Sequence, residues 1–167
     1  VMSCGICKAA EISHDRNGSL LGVYPAVPGH EFSGIAVEVG KNVTHVKVGD
    51  RITADNGYQC GTCYYCLKGM PSMCENYTCQ GHNLQGAFAQ CICCKASKTY
   101  VFSDKISFDE ASLCELLNCA MSGVDNAELK YGDTVAIFGC GSSGNLLAQL
   151  FKHSCAGRVV ALDSEPE

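Results

Sequence analysis

The fifteen residues Cys60-Gly-Thr-Cys63-Tyr-Tyr-Cys66-Leu-Lys-Gly-Met-Pro-Ser-Met-Cys74 decide how the chain is read. Cysteines two residues apart are poorly placed for a mutual disulfide but turn two thiolates toward one metal. The register Cys60-x2-Cys63-x2-Cys66-x7-Cys74 supplies four thiolates, which close a tetrahedral zinc site with no open position. Gly61 and Gly69 permit the tight turns this needs. The bland readings are four buried free cysteines or two disulfides. Residues 57–80 carry glycine, proline and cysteine in place of hydrophobic periodicity, and so small a lobe buries too little surface to hold itself together. Zinc binding supplies the missing folding energy, so the site reads as structural.

Working outward, the chain has 167 residues, close to the length of one average domain. Its 47% hydrophobic and 17% charged residues are enough for a core and exclude a disordered tail. The net charge of −5 argues against a nucleic-acid partner. No apolar run approaches a membrane span, and no signal peptide is visible in the opening residues. Cysteine is the outlier, with 14 copies. The two-residue spacing recurs at Cys4-Cys7, so reduced, intracellular chemistry, in a cytoplasmic setting, fits better than a secreted disulfide scaffold.

Residues 20–54 read as β-structure, with runs at Ile35–Val39, Val46–Val48 and Ile52-Thr53 punctuated by glycine turns, and a compact antiparallel barrel is expected. Further strands are expected at Phe88–Cys93 and Thr99–Phe102. The period then changes. Asp109 opens a helix that runs through Leu116, Leu117 and Met121. Val135–Phe138 reads as a strand buried on both faces, 139–144 as a loop, Asn145–His153 as a helix, and Arg158–Leu162 as a second buried strand. Two strands and one helix do not make a stable doubly wound sheet, so the chain is expected to begin and end inside a longer protein.

Two further constellations carry chemistry. Pro28-Gly29-His30-Glu31-Phe32-Ser33-Gly34 offers a histidine and a carboxylate, which with Cys4 form a catalytic type of zinc set that keeps one position open. By itself the pair is equally compatible with a surface histidine. Glu115 stands in an otherwise apolar stretch, facing either solvent or a charged partner such as a metal. The second constellation is Gly139-Cys140-Gly141-Ser142-Ser143-Gly144, placed between a strand and a helix. The first glycine makes the turn, the second lets backbone approach a pyrophosphate, and the third permits close packing. The helix start at Ser142 and Ser143 presents free N–H groups to that anion. Asp163 closes the next strand roughly 20 residues on, where a carboxylate accepts from the adenosine ribose and disfavours a 2′-phosphate, pointing to NAD.

Together these stretches resemble the zinc-dependent medium-chain dehydrogenases, in the branch holding sorbitol, threonine and butanediol dehydrogenases. The likeness rests on Cys4-Gly5-Ile6-Cys7, Val27–Gly34, Val48-Gly49-Asp50-Arg51, the four-cysteine lobe, Gly86-Ala87-Phe88-Ala89 and Gly132-Asp133-Thr134-Val135. It implies a mixed β and α/β chain. A GroES-like β-barrel catalytic domain would span 1–123, with its zinc lobe at 57–80, followed by the start of a Rossmann domain over 124–167. It implies Cys4, His30, Glu31 and Glu115 at a catalytic zinc, with Glu31 a direct ligand in some members and a neighbour of the ligands in others. Cys60, Cys63, Cys66 and Cys74 match the structural zinc ligands. Gly139, Gly141, Ser142, Ser143, Gly144 and Asp163 match the NAD site. The implied activity is hydride transfer from a secondary alcohol of polyol or amino-alcohol type to NAD, with a small-molecule substrate, no membrane partner and a homo-oligomer at full length. The glutamate at 115, where horse-liver-type alcohol dehydrogenases carry cysteine, favours a polyol.

The departures are specific. Lys8-Ala9-Ala10 replaces the family's Gly-Thr/Ser-Asp, so the hydroxyl that passes a proton from substrate is missing at position 9; Glu11, Ser13 and His14 are the candidates to replace it. Leu116 and Ser122 depart from the usual proline and histidine. A zinc-stapled relative without catalysis and a thiol-rich metal-buffering protein are the alternatives. The remaining cysteines (79, 91, 93, 94, 114, 119, 140 and 155) read as packing residues, Cys114 being the one able to compete for metal. The lysines and arginines between 41 and 105 read as solvated surface. By itself the chain is expected to be inactive.

Overall fold

β-Branched and small residues at 32–35 and 51–54 pair into the central hairpin of the chain. The structure, a computed structural model, describes residues 1–12 and 25–165. It resolves into two units, Val1–Glu115 and Leu116–Glu167.

In the first unit β1 (Ser3–Cys4), β2 (Phe32–Ile35), β3 (Arg51–Ala54) and β6 (Thr99–Val101) form an antiparallel sheet in the order β1-β2-β3-β6. Ser33 faces Thr53 and Ile52 faces Val101 across the ladders. A two-stranded ribbon of β4 (Gly57–Tyr58) and β5 (Thr78–Cys79) stands beside it and brackets the cysteine lobe. The core is small: Phe32, Ala54 and Ala87 are buried, with Val1, Cys4, Ile92 and Cys94 packed against them. Ser33 is fully buried, and its hydroxyl donates to the Phe108 carbonyl at 2.6 Å, tying β2 to the helical segment.

The expected barrel is not closed among the described residues. The run at 35–39 leaves the ladder after Ile35, because Ala36 and Asp50 close the hairpin (Ala36 N–H to Asp50 O, 2.9 Å) and the loop between them turns at Gly40 and at Gly49, which has φ +94°. Val46–Val48 and Phe88–Cys93 form no strand. These stretches flank an apolar cleft of about 790 Å³ lined by Val37, Val39, Val43, Val46, Ile52 and Ile92. The expected β-structure at 20–24 lies outside the described residues. Arg51 is another correction. Its guanidinium lies 4.0 Å from the centre of the Phe108 ring and 4.9 Å from that of Phe102, a pair of cation–π contacts in place of a solvated charge.

The expected helix after Ser107 is two helices. A four-residue turn, α1 (Tyr64–Leu67), lies in the cysteine lobe; α2 (Phe108–Ser112) and α3 (Cys114–Asn126) follow Ser107, broken at Leu113. Ser107 opens α2 with a full capping box: its hydroxyl accepts from the Glu110 N–H, and the Glu110 carboxylate accepts from the Ser107 N–H. Those bonds from Ser107 hold the Glu110 carboxyl below its usual range.

In the second unit β7 (Thr134–Phe138) and β8 (Arg158–Leu162) pair in parallel, Val135 opposite Val159, with α4 (Ser142–Lys152) as the crossover. Ile137 and Phe151 are buried. The expectation of strands buried on both faces fails here: α4 packs on the pair, yet Phe138 is 83% exposed.

Ser107→Ala removes the cap and is expected to cost about 1 kcal/mol in urea unfolding. The Glu110 contribution is complete above the ordinary carboxylate pKa and fades as pH falls through its lowered folded value. The deficit of the variant is therefore expected to shrink in acid.

Candidate metal centres and glycine loop

Three glycines position the first site. The Pro28-Gly29 backbone runs against Gly86–Phe88, with Gly86 N–H to Val27 O at 2.7 Å, Ala87 N–H to Gly29 O at 2.8 Å and Phe88 N–H to Pro28 O at 3.0 Å. A Cβ on Gly86 would collide with the Pro28 and Gly29 carbonyl oxygens. One on Gly81, which has φ +78°, would sit 2.7 Å from Gly29 O, and one on Gly29 itself, with φ +96°, would sit 2.8 Å from the Phe88 ring. His30 and Glu31 leave this crossing buried, 5% and 4% exposed. The Glu31 carbonyl accepts from the Gly5 N–H at 2.7 Å, and Gly5 has no room for a Cβ beside the Glu31 carboxylate.

The structure brings Cys7, His30 and Glu31 together: their ligand atoms lie within 4.8 Å of one another, with His30 Nε2 3.9 Å from Glu31 Oε1. Cys4, the sequence-based choice, lies outside that set. It is the last residue of β1, opposite Phe32, and it packs on the core, its thiol 3.6 Å from the Gly5 carbonyl. Cys7 comes after the strand has ended, immediately before a π-helical turn at Lys8–Ile12. The signal for Cys7 was present, since it shares the two-residue spacing with Cys4. What selects it is the strand register. Glu115 also lies outside the set, where it accepts from Asn56 Nδ2 at 3.4 Å. His82, which no motif singled out, places its ring 4.9 Å from that of His30. Of the candidates for proton transfer, Ser13 and His14 lie outside the described residues, as does the side chain of Glu11.

The second site gathers Cys60, Cys63, Cys66 and Cys74, all four sulfurs within 4.8 Å of one another. Cys63 and Cys74 sulfurs are 4.0 Å apart, against about 3.8 Å between sulfurs of a tetrahedron with metal–sulfur bonds of about 2.3 Å. The Cys63 N–H points at the Cys60 sulfur and the Cys60 N–H at the Cys74 sulfur, both at 3.3 Å. Backbone N–H groups of Thr62 and Cys63 pull the Cys60 thiol down to about 5, and those of Cys66 and Glu75 lower Cys63. Burial, with the neighbouring sulfurs adding to it, pushes Cys66 up to about 12. Backbone donors thus favour thiolates that a cation must balance. The donor set fits zinc.

None of the fourteen cysteines is joined in a disulfide. Cys79 and Cys94 are packed, their thiols pushed up to about 11 by burial. Cys91, Cys93, Cys114, Cys119 and Cys155 are exposed, which corrects their reading as packing residues. Cys114 joins neither metal set.

In the second unit, Gly139 has φ +100°, a Cβ on Gly141 would meet nothing within 4 Å, and one on Gly144 would collide with the Gly139 carbonyl. The loop therefore has its turn, an open face at the start of α4, and a closed helix–strand contact. Asp163 does not stand apart from the loop: its Oδ2 accepts from the Cys140 N–H at 2.6 Å and its Oδ1 from Glu165 at 3.0 Å, which holds its carboxyl below the usual range.

Residues 1–104 match the model of the alcohol dehydrogenase GroES-like domain. The chain belongs to this family. It is 36% identical over 160 residues to D-arabinitol dehydrogenase 1 of Uromyces fabae, covering 96% of this chain and 45% of that protein. It is 32% identical over 171 residues to sorbitol dehydrogenase of Bacillus subtilis, covering 99% and 48%. Among solved structures, a zinc-binding dehydrogenase from Sinorhizobium meliloti bound to NADP superposes with a TM-score of 0.89 at 34% identity, over 96% of this chain and 46% of that one. Galactitol-1-phosphate dehydrogenase from Escherichia coli gives 0.87 at 28%, over 97% and 46%. The chain thus spans about half the length of the relatives it matches. The fold is a GroES-like domain followed by the β-α-β start of a Rossmann domain. No described helix is long and apolar enough to cross a membrane.

Gly86→Ala is expected to destabilise the first unit by about 1–3 kcal/mol, since the new methyl meets two backbone carbonyls that cannot rotate away. Denaturant unfolding checks this; Gly40→Ala, where a Cβ meets only Val43 Cγ2 at an ordinary 3.6 Å and φ is not positive, serves as the control.

Proposed function

We propose that the chain carries the zinc-binding half of an NAD-linked dehydrogenase that oxidises a secondary alcohol of polyol or amino-alcohol type. The single observation that carries the reading is the Cys7-His30-Glu31 set, with Cys7 half-buried and the other two buried, alongside a separate four-cysteine site. The relatives named arabinitol, sorbitol and galactitol-1-phosphate dehydrogenase support a polyhydroxylated substrate. Bound zinc supplies a Lewis acid that lowers the pKa of a hydroxyl, and bound NAD supplies the hydride acceptor.

The chain's own residues divide the work. Cys7 and His30 hold the metal, and Glu31, buried beside the His30 Nε2, is in position to complete the set or to balance its charge. A neutral or anionic donor set of this kind is costly to bury without a cation. Glu115, restrained by Asn56, offers a second carboxylate from the start of α3. Cys60, Cys63, Cys66 and Cys74 hold a structural zinc. The N–H groups at Ser142 and Ser143 and the open side of Gly141 receive the pyrophosphate. Asp163 selects the ribose hydroxyls of NAD over a 2′-phosphate. To do so it exchanges its bond to the Cys140 N–H for the ribose. A reducing, cytoplasmic setting suits fourteen cysteines without a disulfide, and a homo-oligomer suits the full-length protein.

A second reading, a relative that keeps the zinc sites without turnover, is favoured by one observation: the π-helical turn beside Cys7 presents Ala9 and Ala10, which hold and move no proton. In the full-length protein, Ala9→Thr is expected to raise kcat if the centre is a poorly relayed enzyme and to leave an inactive protein inactive if catalysis is lost.

Elemental analysis of reduced protein is expected to give two zinc ions per chain. Cys7→Ser and His30→Ala each leave one, Cys4→Ala keeps two, and Cys66→Ser loses the structural ion and unfolds the lobe. One zinc in the unsubstituted chain overturns the catalytic reading. Saturable quenching of NADH fluorescence is expected, and its absence in the full-length protein would favour a thiol-rich metal buffer.

A further inference from the structure

We propose that His82 is a positioning residue for His30, holding its imidazole in the orientation the metal requires. The inference rests on the reading of His30 as a ligand. The two rings lie 4.9 Å apart at their centres, tilted by 37°, inside the range of favourable ring–ring contacts. His30 is buried, and the Nδ1 of His82 is shielded from solvent, so the contact is not a surface encounter.

The backbone fixes both partners. His82 sits in a turn after β5 whose N–H groups converge on one acceptor: those of His82, Asn83 and Leu84 all reach the Cys79 carbonyl, at 3.3, 3.2 and 3.0 Å. The Asn83 side chain closes the turn from the other side, its Oδ1 accepting from the Cys79 N–H at 2.6 Å and its Nδ2 donating to the Tyr77 carbonyl at 3.3 Å. One residue before His82 is Gly81, pressed against the Gly29 carbonyl. One residue after that carbonyl is His30. The two rings therefore spring from backbones already locked to each other, and the His82 ring has little freedom to leave.

A ligand histidine has one soft torsion left once its backbone is fixed, the rotation of the ring about χ2. Glu31 Oε1 lies 3.9 Å from the His30 Nε2, and the Cys7 sulfur completes the set within 4.8 Å. A neighbouring ring in contact with that of His30 stops it from swinging its nitrogen away from them before metal arrives. Groups that touch a ligand without touching the metal characteristically change metal affinity by 10–100-fold when lost. Because the contact is ring against ring, the shape of the ring matters more than its nitrogens, so His82→Phe is the conservative variant and His82→Ala the disruptive one.

The test uses Co2+ in place of zinc in the 167-residue chain, following the visible d–d absorption of each site and the loss of metal to a competing chelator. The unsubstituted chain is expected to bind two cobalt ions, one with the spectrum of four sulfurs and one of mixed donors. His82→Ala is expected to release the mixed-donor ion at least about 10-fold more readily and to broaden or shift its bands. Its four-sulfur spectrum stays unchanged and shows that the first unit is folded. His82→Phe is expected to restore both retention and spectrum. If His82→Ala keeps the affinity and the spectrum, or if His82→Phe fails as His82→Ala does, the positioning role is overturned while His30 remains a ligand. If the unsubstituted chain binds cobalt at the four cysteines alone, the reading of His30 fails and the role of His82 falls with it.

Discussion

The first unit depends on a place where backbone meets backbone. Gly29 lies between Gly81 on one side and Gly86–Phe88 on the other, so close that a methyl group on any of the three glycines has nowhere to go. Side chains cannot mediate a contact at that distance. Hydrogen bonds do, and those from Gly86, Ala87 and Phe88 fasten the segment immediately before His30. The buried histidine and carboxylate inherit their direction from this crossing, and so do the cysteine turn after β1 and the His82 turn after β5. A core cluster of one phenylalanine and two alanines among the described residues would not by itself set positions to the fraction of an ångström that a metal centre needs.

Charge is handled differently at the two metal sites. In the cysteine lobe, backbone N–H groups surround the sulfurs and lower the cost of thiolates at Cys60 and Cys63, while Cys66 keeps its proton until a cation takes its place. At the Cys7 set the protein instead buries a histidine beside a carboxylate. The first arrangement gathers four sulfurs with backbone donors around them; the second sets an imidazole 3.9 Å from a carboxylate.

Much of this was legible in the sequence because it is written in spacing. The four-cysteine register and the Gly139–Gly144 loop between strand and helix each depend on neighbours a few residues away, and each folds as its local chemistry dictates. What spacing does not carry is register. Cys4 and Cys7 are equivalent in a list of motifs, and only the pairing of Cys4 with Phe32 sends its thiol to the core and leaves Cys7 for the metal set. The run from Ile35 to Val39 has strand composition, yet the Ala36–Asp50 closure ends the hairpin one residue into it. Phe138 belongs to an apolar run, but whether such a run is covered on both faces is settled by elements elsewhere. His82 carries no motif at all, and its place beside His30 is a product of the glycine crossing.

The cysteine lobe has a consequence for how such a protein changes over generations. Tyr64, Leu67, Met70 and Met73 are all exposed, and the lobe is held by sulfur instead of packing. Between its ligands, substitution is not policed by a core. So long as four cysteines and two turn-forming glycines stay in register, this surface is free to diverge while the chemistry beside it stays the same, which makes the lobe the natural ground for lineages with a shared reaction to acquire different outward faces.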